Sequence, residues 1–443
     1  MTGQYRDLYN QKHCSADDAA KLFSSGDGIL APLANGQPPS VLNAVAKRVL
    51  NGELRDLLFV SAVDARWLDF YQPEFAGKVL IDTGFIGPAT RYGVGQGLYT
   101  YTPIRLNEFI DVASFCRPNV TFGAATMVVS PMDEQGFFST GCNVDVCWEV
   151  AKGGKFRHII VEVNENMPRT YGNNQLHISE VDAVVENHNP LVELPEIPIT
   201  KEDELIGQYI ADMIEDGSCI QIGIGGMPNA IANFIKDKKD LGIHSEMLTD
   251  SMVDLYHAGA VTCSKKNFHS HKWIGSFALG TRKLYDFINN NPMVEMYSAK
   301  YVNDPYVIGQ NDNLISVNAT FEVDLSGQVA SESQGAVQYS GTGGQLDFVQ
   351  GAWRSTGGKS FLTLRSTYTD KDGQLKSKIT PTLTSGAFVT VPRTDVQYVV
   401  TEYGVAYLKG QNIRTRVDEL VRIAHPDFRD WLLFEARRLN YIP

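Results

Sequence analysis

Short apolar runs alternate with amphipathic stretches along the chain. LLFVSAVD (57–64), GKVLIDTGFIG (77–87), HIIVEV (158–163) and DAVVE (182–186) have the length and branched content of buried strands. PPSVLNAVAKRVLNGE (38–53) and PNAIANFIKDKKD (228–240) have helical spacing. Strands that alternate with helices predict an α/β fold, a mainly parallel sheet covered by helices. Sheets of that kind bind ligands at the carboxyl ends of their strands. The strand–turn segments at 29–37 and 220–227 are therefore the first places to look for a site.

The pattern breaks at ENHNPLVELPEIPIT (186–200), which holds three prolines in fifteen residues. Each proline removes a backbone donor and disfavours helix in the residue before it. An amphipathic helix then begins, with Ile206, Ile210, Met213 and Ile214 on one face. The reading is a first domain over 1–190, a linker over 191–200 and a second domain over 201–443. The halves also resemble each other. DGILAPLANGQPPSVLNAV (27–45) is echoed by DGSCIQIGIGGMPNAIANF (216–234), VVSPMDEQGFFSTG (128–141) by ATFEVDLSGQVASES (319–333), and VDAVVE (181–186) by DVQYVVTE (395–402). Three matches in the same order favour a duplicated α/β unit.

Length and composition agree with two or three globular domains: 443 residues, 43% apolar and 10% aromatic, enough for sizeable cores. Thirty-nine basic against 51 acidic residues leave −12, and no long basic run offsets it, which disfavours nucleic-acid binding. No run of about 18 apolar residues occurs, so no membrane span is expected. The start, MTGQYRDLYNQKHCS, lacks the apolar core of a signal peptide. Six scattered cysteines (14, 116, 142, 147, 219 and 263) form no C-x-x-C pair, so a reduced, cytoplasmic protein is expected.

The candidate chemistry lies in the second half. CIQIGIGGMPNAIANFI (219–235) runs from a strand into Gly223, Gly225 and Gly226 and then a helix start. Glycine lets backbone N–H groups approach a ligand, and the helix N-terminus favours an anion or a developing oxyanion. The run is neither a Walker A motif nor a dinucleotide fingerprint, and a tight structural turn is the alternative. In LGIHSEM (241–247), Glu246 stands in an apolar, strand-like setting where a carboxylate is costly to bury. His244, His257, Cys263, His269 and His271 match no zinc spacing, and no metal is expected. QYSGTGGQLDFVQGAW (338–353) makes a second glycine turn at Gly341, Gly343 and Gly344. GGKSF (357–361), Arg365 and Lys371 are cations that could meet phosphate or simply be solvated. No G-x-S-x-G elbow is present. A glutamate, two backbone cradles and a few cations fit carboxylate nucleophilic catalysis on an activated acyl group.

Taken together, VSPMDEQGFFSTG, IGIGGMPNAI, LGIHSEM, SGTGGQLDFVQGAW and VVTEYGVAYLKGQNIRTRVDELVRIAHPDFR resemble the acetyl-CoA hydrolase/transferase family, the class I CoA-transferases. Within it they are most similar to the 4-hydroxybutyrate and butyryl-CoA:acetate enzymes. The resemblance covers nearly the whole chain. It implies two α/β domains of similar topology with mainly parallel sheets and the active site between them. It implies that Glu246 is the catalytic carboxylate and that CoA lies on the turn Gln221, Ile222, Gly223, Ile224 and Gly225. A second CoA contact follows at Gly341 and Gly344, with Lys371 as a further one. Asn318 (in SVNATFEVD) and Gly226 border the acyl and oxyanion site. The implied activity moves CoA between acetyl-CoA and a short-chain carboxylate, 4-hydroxybutyrate or butyrate, with acetate as the partner acid. CoA is then substrate and covalent intermediate, and no permanently bound cofactor is implied. Acyl-CoA and short-chain acids are the partners, and a homo-oligomer, dimer or tetramer, is expected. An acyl-CoA hydrolase, a noncatalytic CoA sensor and a sugar-phosphate isomerase on a related fold stand as alternatives.

Overall fold

The computed structural model describes residues 3–115, 119–144, 147–195 and 197–443. Cys116 and Glu196 of the linker lie outside the described residues. Cys14, Cys142, Cys219 and Cys263 are free thiols.

The described chain forms two compact units, neither a single stretch of sequence. The first contains Met1–Pro195, Glu246–Leu248 and Ile274–Val302; the second contains Glu196–Ser245, Thr249–Trp273 and Asn303–Pro443.

In the first unit, strands β1 (Asp27–Leu30), β2 (Leu57–Ser61), β3 (Val79–Thr83), β4 (Thr100–Tyr101), β5 (Thr121–Val129), β6 (Phe156–Val163) and β7 (Ala183–Glu186) make one sheet in the order β7-β6-β5-β1-β2-β3-β4. Every neighbouring pair is parallel. From Phe122 to Val129 each residue of β5 is buried, the continuous apolar run that a strand covered on both faces requires. Helix α1 (Pro39–Leu50) starts with proline in its first turn, where the missing N–H has no intrahelical role. Its Val41, Leu42, Val45 and Val49 pack with Phe59, Phe70 and Phe75 into the unit's core. A fully buried side chain of this size contributes roughly 1.5–3 kcal/mol. The returning segment is tied in by hydrogen bonds. Val144 N–H donates to Ser276 C=O at 3.1 Å and Ala278 N–H to Cys142 C=O at 2.7 Å. Tyr285 OH donates to Val192 C=O at 2.6 Å and accepts from Asn35 Nδ2 at 2.9 Å.

In the second unit, β8 (Cys219–Ile222) pairs in parallel with β10 (Leu314–Ala319) and, at Cys219–Gly242 and Ile220–Ile243, with the start of β9 (Gly242–Leu248). Beyond β10 come β11 (Lys359–Thr363) and β12 (Tyr398–Thr401), both parallel, and an antiparallel edge β13 (Gly404–Tyr407). Leu362, Val399, Ala406, Val417, Leu420 and Leu432 belong to its core.

The repeats seen in the sequence fall on equivalent strands. β1 and β8 each pair with the next strand of the chain on one side, and with β5 or β10 on the other. VDAVVE and DVQYVVTE supply β7 and β12, two strands beyond β5 and β10. The fold is therefore α/β, with two similar domains and mainly parallel sheets. One helix is shorter than its pattern. Helix α2 (Lys201–Ala211) opens on a Thr200–Asp203 capping box and buries Ile206 and Ile210. It ends before Met213 and Ile214, although Ile214 is still buried.

Candidate active site

The parallel pairing of β8 with β10 sets Gln221 opposite Ser316, close to where both strands end. Gln221 is buried, and its Oε1 accepts from Ser316 Oγ at 2.8 Å and from Asn318 Nδ2 at 3.3 Å. Asn318 Nδ2 also donates to Ser316 Oγ at 3.0 Å. Residues 97 apart in sequence thus share one polar network. Gln345 Nε2 donates to the carbonyl of Ala319, the residue after Asn318, at 2.9 Å. Gln345 opens helix α4 (Gln345–Arg354), and Gly344 is its N-cap. The same edge of the sheet therefore holds Gln221, Asn318 and Gly344. Gly341 is buried in the loop before them, which hangs from Glu332: its carbonyl accepts from Tyr339 and Ser340 N–H, and its carboxylate from Thr342 Oγ1 at 3.0 Å.

The first glycine turn opens helix α3 (Gly226–Phe234), with Gly225 as N-cap at φ 127°, a conformation that favours glycine. A Cβ on Gly223 would meet nothing within 4 Å, so the turn is open there. Ile224 is exposed, whereas Ile222 is fully buried and offers only its backbone. Gly226 has a different reason to be glycine. A Cβ would fall 2.6 Å from Asp203 Oδ2 and 2.8 Å from the Pro198 carbonyl. The two helices α3 and α4 direct N–H groups and positive potential at this edge, a setting that suits an anion.

Glu246 lies in β9 as a partly buried residue, after the fully enclosed His244 and Ser245 and before the buried Leu248. His244 packs near Phe348 of helix α4, ring centroids 6.2 Å apart. Among the described residues, no group of three or more His, Cys, Asp or Glu side chains could hold a metal ion.

The cations divide by position. Lys359 begins β11, at the amino edge, and donates to the Met213 carbonyl at 2.9 Å and to Glu215 at 3.2 Å. Arg365 lies just past the other end of β11 but forks onto Asp203: Nε and Nη2 reach Oδ1 at 3.2 and 3.1 Å, and Nη2 reaches Oδ2 at 2.9 Å. The sequence left Arg365 as a phosphate contact or a solvated cation; here its planar fork matches a carboxylate. Lys371 stands exposed in the turn of the hairpin formed by Thr367–Thr369 and Leu375–Ser377. Sequence reasoning missed Lys378. Burial and the neighbouring Arg365 push its ammonium below the ordinary lysine range, against the pull of Glu402. Its single signal was a lysine beside the buried Ile379.

Comparison with known proteins gives this geometry a family. Residues 2–195 match the acetyl-CoA hydrolase/transferase N-terminal domain, and residues 280–436 match the acetyl-CoA hydrolase/transferase C-terminal domain. The chain is 45% identical to succinyl-CoA:cyclohexane-1-carboxylate CoA transferase of Geobacter metallireducens, over 99% of this chain and 98% of that one.

The chain belongs to the acetyl-CoA hydrolase/transferase family.

It is a CoA-transferase. The 4-hydroxybutyrate coenzyme A transferase of Clostridium kluyveri is 41% identical over 98% of this chain and 99% of its own. The crystal structure of RipA from Yersinia pestis superposes with a TM-score of 0.91 at 35% identity, covering 99% of this chain and 100% of RipA. Glu246 and the turn at 221–226 fall between the two matched family domains, inside the span of the full-length transferase relatives.

Proposed function

We propose that this CoA-transferase exchanges CoA between acetyl-CoA and a short-chain carboxylate, 4-hydroxybutyrate or butyrate, through a thioester on Glu246. The observation that carries the reading is the chain-long similarity to named CoA-transferases, with a partly buried glutamate in strand β9. Glu246 attacks the thioester carbonyl, expelling CoA thiolate and leaving an acyl-glutamyl anhydride. The thiolate attacks the glutamyl carbonyl of the anhydride, which releases the first acid and leaves CoA on the protein. An incoming carboxylate attacks that thioester and expels the thiolate, and the thiolate then takes the new acyl group. Each step breaks one acyl bond as it forms another, so no ATP is required.

The roles of the other residues follow from their chemistry. Backbone N–H groups of the turn at Gln221, Ile222, Gly223, Ile224 and Gly225, and of Gly341 and Gly344, hold CoA. Gly226 N–H and Asn318 Nδ2 stabilise the tetrahedral oxyanions, which need preorganised donors. Lys371 is an outer contact for the CoA phosphates. The reading also places the enzyme in the cytoplasm as a homo-oligomer.

Intact-mass measurement tests the proposal. Enzyme mixed with acetyl-CoA alone is expected to release acetate and gain one CoA, because ping-pong chemistry needs no second substrate for that half-reaction. Glu246→Ala is expected to gain none and to lose nearly all turnover while its melting curve stays cooperative. More than a tenth of wild-type kcat in that variant, a barrier change of only about 1.4 kcal/mol, rules out Glu246 as nucleophile. Acetyl-CoA consumed equally fast without an acceptor acid, and without adduct, makes the protein a hydrolase instead.

A further inference from the structure

The first unit carries a second polar group at the carboxyl ends of its strands. Gln37 follows β1 in the chain and is fully buried, with Nε2 donating to Asp64 Oδ1 at 2.6 Å. Asp64 also accepts from Tyr71 OH at 2.6 Å and, on Oδ2, from Ser61 Oγ at 3.0 Å. Gln37 is thereby held in place, yet its Oε1 has no hydrogen-bond partner. Asn143 is 4% exposed and has no partner at either Oδ1 or Nδ2. Gly36, next to Gln37 in the chain, packs closely on Asn143: a Cβ there would stand 3.0 Å from Asn143 Cβ and 2.8 Å from Pro32 Cβ.

The backbone beside them is strained. Ala34 (φ 45°) and Val63 (φ 50°) both occupy the left-handed region, and Ala34 N–H donates to the Val63 carbonyl at 3.1 Å. A β-branched residue in that region is a genuine outlier. Such strain concentrates at ligand sites, and an unmade buried hydrogen bond is likewise costly.

Glu246 belongs to the same unit. Leu248, two residues after it, accepts at its carbonyl from Leu279 N–H at 3.2 Å. The strand that leads to Leu279 (Trp273–Ala278) bridges at Phe277 to Asn143. The segments carrying Glu246 and Asn143 are thus no further apart than two interstrand spacings, about 10 Å.

We infer that Asn143 and Gln37 form the specificity end of the acid pocket and take a neutral hydroxyl on the acyl chain. The inference rests on the transfer reading above. The unmet groups are two carbonyl oxygens and one amide NH2. A hydroxyl donates to a carbonyl oxygen and accepts from the NH2, satisfying both kinds. A distal carboxylate can only accept, and would face two oxygens without a proton to offer. A methyl group leaves all three unmade. A site built to bond a hydroxyl discriminates strongly against the analogue that lacks it.

The test is kcat/KM with acetyl-CoA as donor and 4-hydroxybutyrate, butyrate or succinate as acceptor. Wild type is expected to favour 4-hydroxybutyrate by about tenfold or more over both others. In Asn143→Leu the ratio of 4-hydroxybutyrate to butyrate is expected to collapse by about the same factor, and Asn143→Ser, which keeps a hydroxyl, to retain part of it. A wild-type ratio within about twofold of unity overturns the inference whether or not any variant folds. So does an unaltered ratio in Asn143→Leu, which would make these amides hydrated structural groups. Either result with the CoA adduct still forming leaves the transfer reading intact. Failure to transfer to any acid, with no adduct, removes both.

Discussion

Asp64 is enclosed by Tyr71, Gln37 and Ser61, and burial pushes its carboxyl above the ordinary carboxylate range while those three donors pull it down. A folded-state pKa above the unfolded value means that the native state holds the proton more tightly. Its contribution to stability is therefore full below the unfolded pKa and is lost as pH rises through the folded one. Asp64→Asn cannot titrate. The difference in Tm, wild type minus variant, is expected to fall as pH rises above the ordinary aspartate value of about 4. Melting curves at several pH values check this, and a difference that grows with pH contradicts the burial argument.

At the scale of elements, the junction between helices α2 and α3 shows how one glycine can serve packing while its neighbours serve approach. Asp203 closes the capping box of α2, receives both arms of Arg365 and lies against Gly226 at the start of α3. Gly226→Ala puts a methyl group where a carboxylate oxygen and a carbonyl already stand. It is expected to destabilise the second unit by about 1–3 kcal/mol, the usual cost of overpacking, seen as a lower urea midpoint. A variant as stable as wild type would mean that α2 and α3 move apart freely. The open space at Gly223 makes the opposite expectation reasonable there, with binding affected before stability.

At the scale of the whole molecule, the first unit depends on chain that arrives late. Its returning segment supplies the Ser276 and Ala278 backbone bonds, the Tyr285 anchor for Asn35, and Ser298 and Lys300, which bond Glu149 and Asp111. A chain ending at Pro195 lacks all of these. It is expected to lose the sharp, cooperative thermal transition of the full protein and to be cleaved rapidly by protease, as follows when bonds that complete a unit are missing. A cooperative melt with native-like protease resistance would show that the first 195 residues fold alone.

The sequence by itself determined what periodicity and turn chemistry encode locally. The alternation of strands and helices, the internal repeat, the glycine turn at 223–226 and the strand around Glu246 were legible, because each depends on residues a few positions apart. The shared edge of Gln221, Asn318 and Gly344 was legible only as a list of residues. Their joining depends on the β8–β10 register and on Gln345 reaching Ala319. Tertiary structure alone decided the rest. Arg365 finds a carboxylate 162 positions away, and Lys359 falls at the amino edge of its strand. Asn143, ordinary in sequence, becomes a buried amide against Gly36, more than a hundred residues earlier. A side chain's hydrogen-bond partners and its burial are properties of what the fold brings beside it, and local pattern carries no record of them.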